Sequence, residues 1–172
     1  MDGRRRQRGR ATVEIVDTMD DALRVIDSLN RAGVDYIIVG GVALNVHGLI
    51  RATEDLDVFV RPDPENIGRL RQALKAIWLD PSIDQITAED LCGDYPAVRY
   101  GPPEGTLYLD ILTRLGEVTA YADLEAEEKE IGGVRVRVAT PKTLYRMKKG
   151  TVRPIDHNDA AALRIAFHIN DD

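Results

Sequence analysis

The stretch Ile37–Val60, IIVGGVALNVHGLIRATEDLDVFV, decides how this chain folds. Two adjacent glycines, Gly40 and Gly41, are followed by thirteen residues and then by Asp55-Leu56-Asp57. Tyr36 to Val39 is wholly apolar, the pattern of a short strand buried on both faces. Val42 to His47 is long enough for a short helix ended by Gly48, and Leu56 to Val60 reads as a second strand. Strand side chains alternate, so Asp55, Asp57 and Phe59 share one face while Leu56, Val58 and Val60 share the other. Aspartate is depleted in strands, and two carboxylates on one face repel unless water or a cation lies between them. Two readings stand at this point: the wet face of an edge strand, or a cation site. The glycines are equally double. They serve a tight turn, or they let backbone N–H groups approach a phosphate at a helix start.

A third acid bears on that choice. Asp110 lies in Thr106–Thr113, TLYLDILT, again a carboxylate within an apolar strand pattern. If this strand lies beside the second, Asp110 meets Asp55 and Asp57. Three carboxylates are costly to hold together without a cation, and Mg²⁺ prefers oxygen ligands and substrate phosphates. Two such ions about 4 Å apart can activate a hydroxyl and stabilise a leaving pyrophosphate.

Around these motifs the chain alternates helices and strands. Residues 18 to 32 read as a helix capped by Thr18, with a stripe of Met19, Leu23, Ile26 and Leu29 and a stop at Gly33. Pro64 suits a helix first turn, and the stripe Ile67, Leu70, Leu74 carries that helix to Ile77, with Trp78 as core. Residues 80 to 95 give no period. Ala97–Tyr100 and Thr106–Leu112 are strands joined by Gly101-Pro-Pro-Glu-Gly105. The acidic run Asp123–Glu130 is expected to be helical. Val134, Val136 and Val138 alternate with Arg135 and Arg137 as a half-exposed strand after Gly132-Gly133. Thr140-Pro141 caps a helix to about Lys149, and a last helix runs from Pro154 toward Ile169. His47 reads as a packed or capping histidine.

Composition bounds the rest. The chain has 172 residues, 44% apolar and 30% charged, which is one domain of ordinary size. It has no apolar run long enough for a membrane span, no secretory signal, and one cysteine, Cys92, which fits a reducing cytoplasm. The net charge of −6 is uneven. Residues 1–12 form a basic arm with Arg4, Arg5, Arg6, Arg8 and Arg10, whereas residues 13–172 make an acidic domain with a helical C-terminal segment at about 140–170. The arm is either an inert tail or a group of phosphate contacts for nucleic acid. An acidic body does not suit a generic nucleic-acid binder; it suits a site that brings its own cations.

The order strand, Gly-Gly, short helix, spacer, Asp-x-Asp resembles the minimal nucleotidyltransferase superfamily of the polymerase-beta type. In detail VGGVALNVHGLIRATEDLDVFV is similar to the AbiEii and MenT-like nucleotidyltransferases, many of them toxins of type IV toxin–antitoxin pairs. The stretch Leu144–Leu163, LYRMKKGTVRPIDHNDAAAL, resembles that group's C-terminal segment, except that Ile155 stands where the family usually has lysine. The resemblance implies an α/β (α+β) nucleotidyltransferase fold, a mixed sheet flanked by helices. It implies Mg²⁺, as one or two ions, on Asp55, Asp57 and Asp110, with Asp110 as ligand or general base. Gly40 and Gly41 would hold a nucleoside triphosphate, which Arg51 would also approach unless it pairs with Glu54. Lys148 would be the site lysine, with Lys142 second. Asp156 would orient Lys148 or Arg153 unless it serves only as a helix cap. The implied reaction is transfer of a nucleoside monophosphate to an acceptor hydroxyl, with the 3′ end of tRNA as the expected acceptor and Arg135 and Arg137 as a second phosphate contact. A cognate antitoxin is a partner that the resemblance admits. The alternatives are a catalytically silent module of the same fold that binds a nucleotide or a partner, and a small-molecule (aminoglycoside-like) nucleotidyltransferase.

Overall fold

The structure is a computed structural model that describes residues 18–116 and 119–171. Helix α1 spans residues 18–31 and buries Ala22, Val25, Ile26 and Leu29. Thr18 is already helical, so the cap expected there falls outside the described residues. Strand β1 (Tyr36–Val39) runs without a linker into helix α2 (Gly40–Val46), which therefore starts at the glycine pair and not at Val42. Strand β2 (Asp55–Val60) returns antiparallel to β1, with Val39 opposite Asp57. Helix α3 (Pro64–Lys75) follows, capped by Asp63, whose side chain accepts from the backbone N–H of Asn66. The patternless stretch holds a 3-10 turn at Pro81–Gln85 and a short helix α4 (Ala88–Leu91), which bury Ile83 and Leu91 respectively.

Strands β3 (Ala97–Tyr100) and β4 (Tyr108–Leu112) form an antiparallel pair, and β4 lies parallel to β2. A small separate ribbon joins β5 (Arg114–Leu115) to β6 (Thr119–Ala120). Strands β7 (Ala126–Ile131) and β8 (Val134–Ala139) make a hairpin, and helices α5 (Pro141–Lys149) and α6 (Pro154–Phe167) pack together after it. The six-stranded mixed sheet has the order β3-β4-β2-β1-β8-β7, and helices flank it, the α/β arrangement expected from the motifs. Among the described residues no helix is long and apolar enough to cross a membrane.

Two expectations change. The acidic run expected to be helical is largely strand β7. Gly132 and Gly133 both take positive φ, 55° and 78°, so the chain reverses tightly there and pairs Glu128 with Arg137 and Glu130 with Arg135. Those pairings suit a hairpin better than a helix with no apolar stripe. The second change concerns β2. It is a central strand between β4 and β1, and Phe59, on the face of Asp55 and Asp57, is fully buried. The two aspartates are thus not the wet face of an edge strand. They sit at the end of a strand whose far half is covered on both sides.

Candidate active site

The parallel pairing of β2 with β4 sets the geometry. Asp57 is in register with Asp110, and Asp55 lies two residues along on the same face. The glycine pair closes over this end. Gly40 has φ +70°, and a Cβ there would lie 2.0 Å from Asp57 Oδ2, so only glycine fits beside that carboxylate. A Cβ on Gly41 would come within 2.9 Å of Thr53 Cβ. The tight turn and the close approach are therefore one feature: the backbone of α2 at Gly40 lies directly against the Asp57 carboxylate.

These groups line a cavity of about 510 Å³. Its wall includes Gly40, Gly41, Asp55, Asp57 and Asp110 on the sheet side, and Arg51, Lys148, Arg153 and Asp156 facing them. A larger hollow of about 780 Å³ lies on another face of α5 and α6, lined by residues such as Tyr145, Lys149, Ala160 and Ile165, and has no carboxylate in its wall.

Burial raises Asp57 from its ordinary range to about 6, and the negative charges of Asp110 and Asp55 push in the same direction. Burial also raises Asp110, while Arg99 pulls it back. Excess negative charge thus concentrates where β2 meets β4. Opposite it, α6 organises the cations. Asp156 and Asp159 are three residues apart, hence on one helix face. Lys148 Nζ donates to Asp159 Oδ2 at 2.9 Å and to Asp156 Oδ1 at 3.3 Å. Arg51 Nε donates to Asp159 Oδ1 at 3.1 Å. Thr151 Oγ1 donates to Asp156 Oδ2 at 2.8 Å, and Arg153 stands 3.8 Å from the same carboxylate. Burial would raise Asp156, but the bonds from Thr151 and Lys148 outweigh it and hold the carboxyl below its usual range.

The structure brings Asp55, Asp57, Asp110, Gly40, Gly41, Arg51, Lys148 and Asp156 to one cavity. Arg51 pairs with Asp159, not with Glu54. Asp156 is not the cap of α6: Arg153 holds that position and makes no side-chain cap bond. Lys142 is exposed in the first turn of α5 and is not part of the wall. Ile155 is not part of it either, while Arg153 is, so a cation is present two residues before the position of the missing lysine. His47 is buried, with Nε2 2.8 Å from the carbonyl oxygen of Ala139, the packing role expected. Arg135 and Arg137 line a different hollow with Asn30, Tyr36 and Tyr121 and do not reach the carboxylates. The basic arm lies outside the described residues.

Sequence reasoning missed Asp159, Arg99 and Thr53. Asp159 was legible as the second acid of Asp156-His-Asn-Asp159 at helical spacing. Arg99 Nη2 donates to Asp55 Oδ1 at 2.8 Å, and its Nη1 is 3.7 Å from Asp110 Oδ2. Its signal was the strand alternation that places it beside Asp110, its register partner in β4.

The residues fit a divalent cation in their chemistry. Asp55, Asp57 and Asp110 offer only hard carboxylate oxygens, and the raised carboxyls mark charge that a cation would relieve. They do not form a ready cage: among the described residues no three His, Cys, Asp or Glu side chains converge in one, and Asp55 leans toward Arg99.

The family model described as "Nucleotidyl transferase AbiEii toxin, Type IV TA system" matches residues 22–149. That span holds the glycine pair, the three aspartates and Lys148, and stops before α6. No curated protein sequence matches the chain. Among solved structures, an antigenic nucleotidyltransferase-like protein from Paracoccidioides brasiliensis is similar with a TM-score of 0.51 at 20% identity, over 85% of this chain and 77% of that one. JHP933 from Helicobacter pylori is similar with a TM-score of 0.50 at 22% identity, over 88% of this chain and 67% of that one. At these identities the likeness concerns the fold.

Proposed function

The chain belongs to the AbiEii family of nucleotidyltransferase toxins, and on that premise we propose that it transfers a nucleoside monophosphate from a nucleoside triphosphate to a hydroxyl of RNA, with Mg²⁺ held by Asp55, Asp57 and Asp110. The observation that carries this reading is the in-register pair Asp57 and Asp110, with Asp55 beside them and Gly40 against Asp57, facing a wall of cations across one cavity. Bound there, Mg²⁺ supplies charge neutralisation for the triphosphate and for the pyrophosphate that leaves.

The chain's own groups do the rest. The backbone of Gly40 and Gly41 lines the cavity beside Asp57 and Thr53 and suits the triphosphate through its N–H groups. Arg51, Lys148 and Arg153 face the same space and suit the outer phosphates. Asp156 and Asp159 hold Lys148 and Arg51 in place before substrate arrives, so less ordering is needed on binding. Asp110, partly exposed at the cavity and raised by burial, is suited to take the proton of the attacking hydroxyl. The new bond joins that hydroxyl oxygen to the α-phosphorus; the bond from the α-phosphorus to the bridging oxygen breaks, and pyrophosphate departs.

RNA as acceptor, with the 3′ end of tRNA first, is supported by the five arginines of the arm on an otherwise acidic chain. Incubating the full chain with each labelled triphosphate, Mg²⁺ and total RNA tests it. Label on RNA that vanishes in Asp57→Asn is the expected result. Label on protein or a small molecule with none on RNA overturns the acceptor, and no transfer to any acceptor overturns the reaction.

A further inference from the structure

The carboxylates that would hold a cation already have one nearby. Arg99 projects from the edge strand β3 onto the face that carries Asp55 and Asp110, donates to Asp55 at 2.8 Å, and stands 3.7 Å from Asp110. Its guanidinium carbon lies 4.6 Å from the centroid of the Tyr108 ring. The ring in turn rests against Gly101, where a Cβ would come within 3.0 Å of it. Gly101, Tyr108 and Arg99 thus form a small stack that presents the guanidinium to Asp55.

We infer that Arg99 is a built-in counter-ion, which occupies the divalent cation's place at Asp55 and has to be displaced for that cation to bind, and so sets the metal affinity of the site; this rests on reading Asp55, Asp57 and Asp110 as the cation site. Two observations argue for displacement over a fixed structural pair. The Arg99 side chain is 55% exposed, so its ion pair is screened and cheap to break. The Tyr108 ring is the perch from which the guanidinium meets Asp55. A divalent ion brings twice the charge to the same oxygens and reaches Asp57, which Arg99 does not contact at ion-pair distance. In this arrangement one of the three acids is turned to its edge-strand partner.

The test is titration of the full chain with Mn²⁺, with free ion followed by electron paramagnetic resonance and with no nucleotide present. Arg99→Gln removes the competitor, and its Mn²⁺ affinity is expected to rise roughly twofold to fivefold, the range an exposed ion pair supports. The melting temperature of the metal-free variant should fall below that of the unaltered chain, because the acids lose their counter-ion. Tyr108→Leu leaves the charge but removes the perch that orients it, and its affinity should rise by a smaller factor. This second variant serves where the first does not fold. An Mn²⁺ affinity that is unchanged or weaker in the folded variants overturns the inference. Asp55→Asn separates the two levels. If it loses Mn²⁺ while Arg99→Gln and Tyr108→Leu change nothing, the competition is wrong and the cation site stands. If the unaltered chain binds no Mn²⁺, or Asp55→Asn binds it as well as the unaltered chain does, both fail.

Discussion

Asp57 sets the stability of the metal-free protein against the needs of the site. Its carboxyl is raised from 3.8 to about 6, first by burial and then by Asp110 and Asp55. A carboxyl raised on folding favours the folded state only while protonated. Its contribution is fully present below the unfolded value and is lost as pH rises through the folded one. The shift spans roughly two units at about 1.4 kcal/mol each, so ionised Asp57 costs the metal-free fold about 2–3 kcal/mol at pH 8. Asp57→Asn keeps the shape and removes the charge. In EDTA at pH 8 the variant should melt about 5–10 °C higher, at roughly 2–4 °C per kcal/mol for a chain of this size. The gain should shrink across pH 6 and vanish near pH 3.5. With Mg²⁺ and a triphosphate the order should reverse, because only the unaltered chain gains from ligand binding. Thermal melts across a pH series, with and without Mg²⁺, read both effects. A variant less stable than the unaltered chain at pH 8 in EDTA would refute the reasoning, since the pull of Lys148 and Arg153 on Asp57 would then outweigh its burial and its acidic neighbours.

Other perturbations have defined outcomes. Gly40→Ala forces a side chain into φ +70° and 2.0 Å from Asp57 Oδ2, so thermal melts should show a loss of about 1–3 kcal/mol and calorimetry a loss of triphosphate binding. Asp159→Ala removes the nearer of the two carboxylates that hold Lys148, leaving Asp156 alone, and frees Arg51; a loss of about 2 kcal/mol in denaturant melts is expected, partly relieved when Lys148→Met is added, and additive losses would show that the two are not coupled. Expression of the unaltered chain should slow bacterial growth, and folded Asp55→Ala should not; equal arrest from both would show that any toxicity is not catalytic. Deleting residues 1–10 should flatten the salt dependence of RNA labelling by about one counterion per lost phosphate contact while triphosphate binding persists, and an unchanged slope would leave the arm without a role.

Much of this was legible because it depends on local pattern. The apolar strand before Gly40-Gly41 and the alternation through Asp55-Leu56-Asp57 each need only neighbouring residues to be read, and β1, α2 and β2 follow from them. The pairing of β2 with β4 was reached only as a condition, since no local feature of Thr106–Thr113 says which strand lies beside it. Asp123–Glu130 was misread because charge density says nothing of period; the deciding information was the glycine pair that follows and the opposite charges across the turn. For Arg51 the sequence offered the nucleotide phosphates or Glu54, three residues away, whereas its partner Asp159 is 108 residues away on α6. The alternation that sets Arg99 beside Asp110 tells only once β3 and β4 are paired, and its meaning comes from two acids on two other strands.

The charges of the cavity form two groups with different jobs. On the sheet, acids outnumber their partners, and burial makes them costly to ionise. Facing them, Arg51, Lys148 and Arg153 are each matched by Asp156 or Asp159 and so are held rather than spare. A triphosphate entering alone would set its charge beside Asp55, Asp57 and Asp110, while Lys148 and Arg51 would have to be shared with their own acids. That is unfavourable on both sides of the cavity. A divalent cation changes the sign on the sheet side, relieving the raised carboxyls and creating the attraction that the bare acids deny. Metal and triphosphate should therefore bind with positive coupling, each raising the affinity for the other by the same factor. The coupling originates in Asp57, the most buried of the three acids, and calorimetry of triphosphate binding at stepped Mg²⁺ concentrations would lose the dependence in Asp57→Asn. Triphosphate affinity in the unaltered chain that does not respond to Mg²⁺ would mean that the cations of α5 and α6 suffice and that the sheet acids stand apart from nucleotide binding.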